Sequence, residues 1–183
     1  MTVAPPTASF DILHPLSLFR QRDGGTLPPV ELIEGSAVPA PYQGLLVHKG
    51  DMTSRLEAFH SSPLKLRVLH LDRTPEAYRR EVLLCTQAAG IPVEYGANEI
   101  NLAAFEEPLR NEILAGKLPL GGLLNRAGIK YYSEPRAFLR VRPDATLCRL
   151  FEIEPVDALY GRSNTLLSSA GVVLARIVEI LRP

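Results

Sequence analysis

The chain has no tryptophan, only two cysteines, and no surplus of charge: 20 lysines and arginines balance 20 aspartates and glutamates. Each scarcity excludes something. A nucleic-acid surface works through a basic excess, so none is expected here. A small anionic ligand needs only one or two local cations and stays open. Cys85 and Cys148 are too few for a disulfide framework, and no CxxC pair or histidine cluster has metal-ligand spacing. Cys85 falls in an apolar run and reads as a small buried hydrophobe. Residues 1–10 carry neither the basic nor the apolar region of a signal peptide, and no apolar run is long enough to span a bilayer. These exclusions leave a soluble, cytoplasmic protein as the expectation. Its 183 residues are enough for one domain with a substantial core.

Proline is what the chain has in quantity, and it gathers early: Pro5, Pro6, Pro15, Pro28, Pro29, Pro39 and Pro41. Residues 1–43 therefore read as an irregular lead-in with one short helix near Leu16–Arg20, and residues 44–183 as the folded domain. Helical spacing of Met52, Leu56 and Phe59 predicts a helix after Asp51, with Asp51 or Thr53 as its cap. Asn101 to Leu114 shows the same period and should stop at Gly116. A further short helix is predicted around Leu118–Leu124. Strands are expected at 65–71, 78–84, 92–95, 138–141, 147–153, 159–167 and 172–181, being short, β-branched or aliphatic, and bounded by turn-formers. Most follow one another without helical crossovers, which points to an antiparallel sheet and the α+β class.

Two strands carry the chemical signal. Side chains alternate along a strand, so Tyr78, Arg80, Val82 and Leu84 share one face, apolar except for Arg80. In the last strand Val173, Ala175, Ile177, Glu179 and Leu181 share a face, apolar except for Glu179. A lone charge within an apolar stripe is costly unless paired or used by a ligand. One of each sign suggests an enclosed polar site in a β-sheet core, or else an Arg80–Glu179 ion pair across two strands.

Five short pieces, in order, resemble the chorismate lyase family (chorismate pyruvate-lyase, 4-hydroxybenzoate synthase). They are Asp51-Met52-Thr53 with Arg55 and Glu57, then Arg80-Glu81-Val82-Leu83-Leu84-Cys85, Pro119-Leu120-Gly121, Tyr160-Gly161-Arg162, and Glu179-Ile180-Leu181-Arg182-Pro183. The chain departs from the family in its longer proline-rich start and a longer segment between Gly161 and Glu179, and is similar to its more divergent bacterial branches. The resemblance implies a single domain with an antiparallel sheet of about six strands and helices on one face forming flaps over an enclosed pocket. It implies a cofactor-independent, metal-free monomer that converts chorismate to 4-hydroxybenzoate and pyruvate, with no nucleic-acid partner and no membrane span. Carried over, Arg80 would bind the ring carboxylate with the backbone amides of Met52 and Leu120. Glu179 would stand near the 4-oxygen and the leaving enolpyruvyl group, as base or positioning group.

Other readings stand beside this one. Alone, Met52 is a core methionine and Pro119-Leu120-Gly121 a helix-entry turn. Arg162 reads as a solvent-facing strand residue or an electrostatic support. Arg79 and Glu81 read as surface charges, His48 and His70 as structural, and Asp51 and Thr53 as caps. The same fold also serves as the effector-binding domain of bacterial repressors, so a non-catalytic module for an aromatic carboxylate is the alternative, as is a lyase for a related chorismate derivative. The first forty-odd residues are too short and proline-rich to supply a repressor's helix-turn-helix.

Overall fold

The alternating runs at 78–84 and 172–181 become β3 (Tyr78–Thr86) and β7 (Val173–Leu181), and they do not touch. Between them lies β4 (Pro92–Ile100), with Arg80 opposite Asn98 on one side and Glu179 opposite Gly96 on the other. The remaining strands are β1 (Val30–Ile33), β2 (Leu64–Arg73), β5 (Tyr131–Val141) and β6 (Leu159–Ser168). All pair antiparallel in one seven-stranded sheet, ordered β1-β5-β6-β7-β4-β3-β2. The computed structural model describes residues 11–22, 24–74 and 77–183.

Six helices cover the sheet, and together they make a single α+β domain. On one face lie α2 (Tyr42–Leu46), α3 (Met52–His60), α4 (Glu107–Ala115) and α5 (Leu120–Arg126), packed on Tyr78, Leu84, Ile100, Ala175, Ile177 and Leu181. On the other lie α1 (Leu16–Arg22) and α6 (Ala145–Phe151), burying Leu83, Tyr95, Leu139, Val178 and Ile180. Helices thus cover both faces, not one. No helix among the described residues is long and apolar enough to cross a membrane.

Two expectations need correction. The run at 147–153 forms helix α6, not a strand. Leu147, Leu150 and Phe151 are spaced i, i+3 and i+4, the helical period, whereas on a strand Leu150 and Phe151 would face opposite sides. Asp144 decides the matter by accepting from the Leu147 amide at 2.8 Å as an N-cap, and Glu152 closes the helix in the left-handed region at φ 54°. The lead-in also does more than lead in. Residues 1–10 lie outside the described part, but the rest supplies α1, the start of α2 and an edge strand, with Val30 opposite Val141.

Candidate functional site

Four side chains singled out from sequence meet at one place. A cavity under α3 and α5 is lined by Met52, Thr53, Arg80, Glu94, Leu120 and Glu179, among others. Met52 and Leu120 are the first residues of α3 and α5, so both helix N-termini open onto it. First-turn amides have no acceptor within their own helix, and the helix dipole favours negative charge there. The cavity volume is about 40 Å³, well under the few hundred Å³ usual for ligand pockets. It is a narrow, partly open slot, too small as it stands to hold an aromatic ring.

Arg80 is wholly buried on β3. Its Nε donates to Asn98 Oδ1 at 3.0 Å, which fixes the plane of the guanidinium. Nη1 and Nη2 make no hydrogen bond, and burial pulls the pKa of the group below its ordinary value, an effect partly offset by the nearby Tyr78 hydroxyl. A buried donor without a partner costs about 1–3 kcal/mol. Two such donors in a planar fork, aimed into a cavity, match the geometry of a carboxylate.

The expected alternative, an Arg80–Glu179 ion pair, does not form. Glu179 accepts instead from Arg162 Nε at 2.6 Å, across β6 and β7. Arg162 is itself fully buried, which corrects its reading as solvent-facing. Its Nη1 also donates to the carbonyls of Leu46 and His48, at 3.0 and 3.3 Å, and so ties the α2–α3 loop to the sheet. His48 holds that loop in turn: Nε2 lies 2.7 Å from the Leu45 carbonyl and Nδ1 accepts from the Gly50 amide at 3.1 Å. Both bonds suit a neutral ring, and burial together with Arg162 brings its pKa down to about 4. Glycines border β7 on both sides here, Gly96 opposite Glu179 and Gly161 opposite Ile180: a Cβ on either would lie 2.2 Å from a β7 carbonyl oxygen. The close approach of these strands requires glycine.

Glu94 was missed. It is buried on β4, its Oε2 has no hydrogen-bond partner, and it shares the cavity face with Glu179. Burial, reinforced by the neighbouring Glu179, pushes its pKa well up. The signal that marked Arg80 was absent here, because on β4 Glu94 shares its face with Pro92, Gly96 and Asn98 rather than with an apolar stripe. The expected strand ended at Tyr95, too early to show the alternation that runs to Ile100. Glu81 was misread as well. It is buried on the opposite face, accepting from the Tyr95 hydroxyl and lying 2.5 Å from His70 Nδ1.

The lids are latched by Asp51. Its carboxylate caps α3 through the Thr53 and Ser54 amides at 3.1 and 3.0 Å, as expected from sequence. It also accepts from Asn125 Nδ2 of α5 at 2.7 Å and from the Tyr131 hydroxyl of β5 at 3.1 Å. A Cβ on Gly121 would come within 2.6 Å of Asp51 Oδ1, so α5 seats against α3 only with glycine there.

No protein-family model matches the chain, and no curated protein sequence matches it either. Solved structures do match in fold. The effector domain of PhnF from Mycobacterium smegmatis is 12% identical, with a TM-score of 0.54 over 73% of this chain and 88% of that one. Another PhnF structure gives 0.52 at 12% identity, covering 73% of this chain and 64% of PhnF. A transcriptional regulator of the GntR family from Bacillus cereus gives 0.46 at 13% identity, over 66% of this chain and 92% of that one. The fold is the chorismate lyase-like one that such effector domains share. At this identity the likeness concerns the fold alone.

Proposed function

We propose that the cavity binds a small planar aromatic carboxylate, and that the protein acts on it as a chorismate lyase, releasing 4-hydroxybenzoate and pyruvate. One observation carries the reading. Arg80, whose two terminal guanidinium nitrogens are unpartnered, lines the same narrow slot as Met52, Leu120 and Glu179. Arg80 would hold the ring carboxylate, helped by the Met52 and Leu120 amides. Glu179, about 7 Å further along the sheet and two strands, or about 10 Å, across it, would reach the ring's C4 end. There its carboxylate, kept in place by Arg162, takes the C4 proton or positions the 4-hydroxyl as the ring aromatises. No cofactor is invoked. Positioning in a dry slot supplies much of the acceleration for a substrate already primed to aromatise.

The second reading is a binding module that senses such a carboxylate without turning it over. The fold shared with the PhnF effector domain favours it. The two readings separate in one experiment. The purified chain, with chelator present, is incubated with chorismate while pyruvate and the aromatic product are followed. The expected result is equimolar pyruvate and 4-hydroxybenzoate. Chorismate left intact, with 4-hydroxybenzoate still bound, selects the sensing module. In either case Arg80→Ala should weaken 4-hydroxybenzoate binding by about 2–5 kcal/mol, and lysine should restore only part. Unchanged affinity in Arg80→Ala would remove the arginine from the site.

A further inference from the structure

We propose that Glu94 is a second catalytic carboxyl, the acid that protonates the departing enolpyruvyl oxygen; this rests on the lyase reading above. Its place on the sheet supports the role. Asn98 and Arg80 mark one end of the face, Glu179 with Gly96 the middle, and Glu94 with Leu84 and Leu181 the far end. Asn98 and Glu94 stand four positions apart on β4, roughly 13 Å. A ring held at Arg80 by its carboxylate therefore points its substituted edge toward Glu179 and Glu94. Gly96, opposite Glu179 and two positions from Glu94 on β4, adds no side chain to that stretch of the face.

The two carboxyls differ in environment. Glu179 lies against Arg162 at 2.6 Å, while Glu94 Oε2 has no hydrogen-bond partner. The groups acting electrostatically on Glu94 are Glu179 of β7, Arg162 of β6 and Asp51 at the head of α3, two acids against one base, and burial favours its neutral form. Carboxyls with contrasting environments divide acid and base roles between them. A neutral acid also adds no negative charge beside a dianionic substrate.

The step balances. Glu179 takes the C4 proton, and the C4–H electron pair becomes ring π density. The C3–O bond breaks, its pair stays on the ether oxygen, and that oxygen takes the proton of Glu94. Enolpyruvate tautomerises to pyruvate, and the proton on Glu179 passes to Glu94 once the slot empties. No oxidant, reductant or co-reactant enters.

Glu94→Gln tests this, because an amide keeps the shape and a hydrogen-bond donor but delivers no proton. Expected are a fall in kcat of about a hundredfold, affinity for 4-hydroxybenzoate within twofold of the parent, and loss of the high-pH limb of the rate profile. That limb falls in the parent as Glu94 deprotonates. Infrared spectroscopy of the unliganded protein gives a readout independent of turnover: the carbonyl stretch of a protonated buried carboxyl, present at neutral pH and absent from Glu94→Gln. Should Glu94→Gln fold poorly, Glu94→Leu, which removes the buried polar group, serves in its place and should be equally slow. An inactive parent overturns the lyase reading and this proposal with it. An active parent whose variants keep parental kcat, or whose spectrum lacks the band, overturns the role of Glu94 alone.

Discussion

The two faces of the sheet both bury charge, and they treat it differently. On the α1/α6 face, charges find partners. Arg79 bonds Glu99 at 2.6 Å and Asp72 at 3.0 Å, and Glu99 also takes Arg176 and His14. Glu81 holds the Tyr95 hydroxyl and His70. Even Arg20, with Nε and Nη2 unbonded, has Asp144 at 3.2 Å and lies 5.6 Å from the centre of the Tyr95 ring. On the α3/α5 face, among the buried charges of the described residues, only the Arg162–Glu179 pair is closed. Arg80 and Glu94 keep atoms without partners beside a cavity. Charges that hold a fold together are satisfied within it, whereas charges kept for a ligand leave a deficit that the ligand fills.

The contrast predicts different failures. The largest concerns Arg162, the paired charge on the cavity face. Arg162→Met strands Glu179 and two loop carbonyls, and should cost about 3–5 kcal/mol in urea unfolding, while Arg80→Ala stays within about 1 kcal/mol of the parent. Equal losses in the two variants would erase the distinction between a structural and a ligand-directed arginine. Next is Tyr95→Phe, which removes the hydroxyl bonded to Glu81 on the opposite face. A loss of about 1–2 kcal/mol is expected, with 4-hydroxybenzoate affinity unchanged within twofold. Weakened binding would mean that the faces are coupled through β4.

The smallest effect is one of pH. His48 is held neutral in the fold, with its pKa down at about 4, whereas the unfolded chain binds the proton near the ordinary value of 6.5. Between those limits the unfolded state carries more protons, so stability falls as pH is lowered through that window. The ring is only partly buried, so the change should be on the order of 1 kcal/mol. A His48→Gln variant with the same acid sensitivity as the parent would assign the effect to other groups.

What the sequence determined by itself was local. Alternation in 78–84 and 172–181 marked Arg80 and Glu179 as charges within apolar stripes, because side-chain direction in a strand depends only on the backbone. Asp51 was readable as a cap because capping acts within three residues. The α+β class followed from strands without crossovers. Only the tertiary structure decided the rest. Glu179 pairs with Arg162 rather than Arg80 because β4 intervenes, and strand order is a long-range outcome that periodicity does not encode. Val30–Ile33 became a strand because the edge of β5 was there to receive it, and Glu94 became a buried acid because β4 is an interior strand under the helices. The run at 147–153, short and apolar enough to read as a strand, is a helix capped by Asp144, a single hydrogen-bond acceptor just ahead of it. Pattern tells which side chains share a face; only packing tells what each of them meets there.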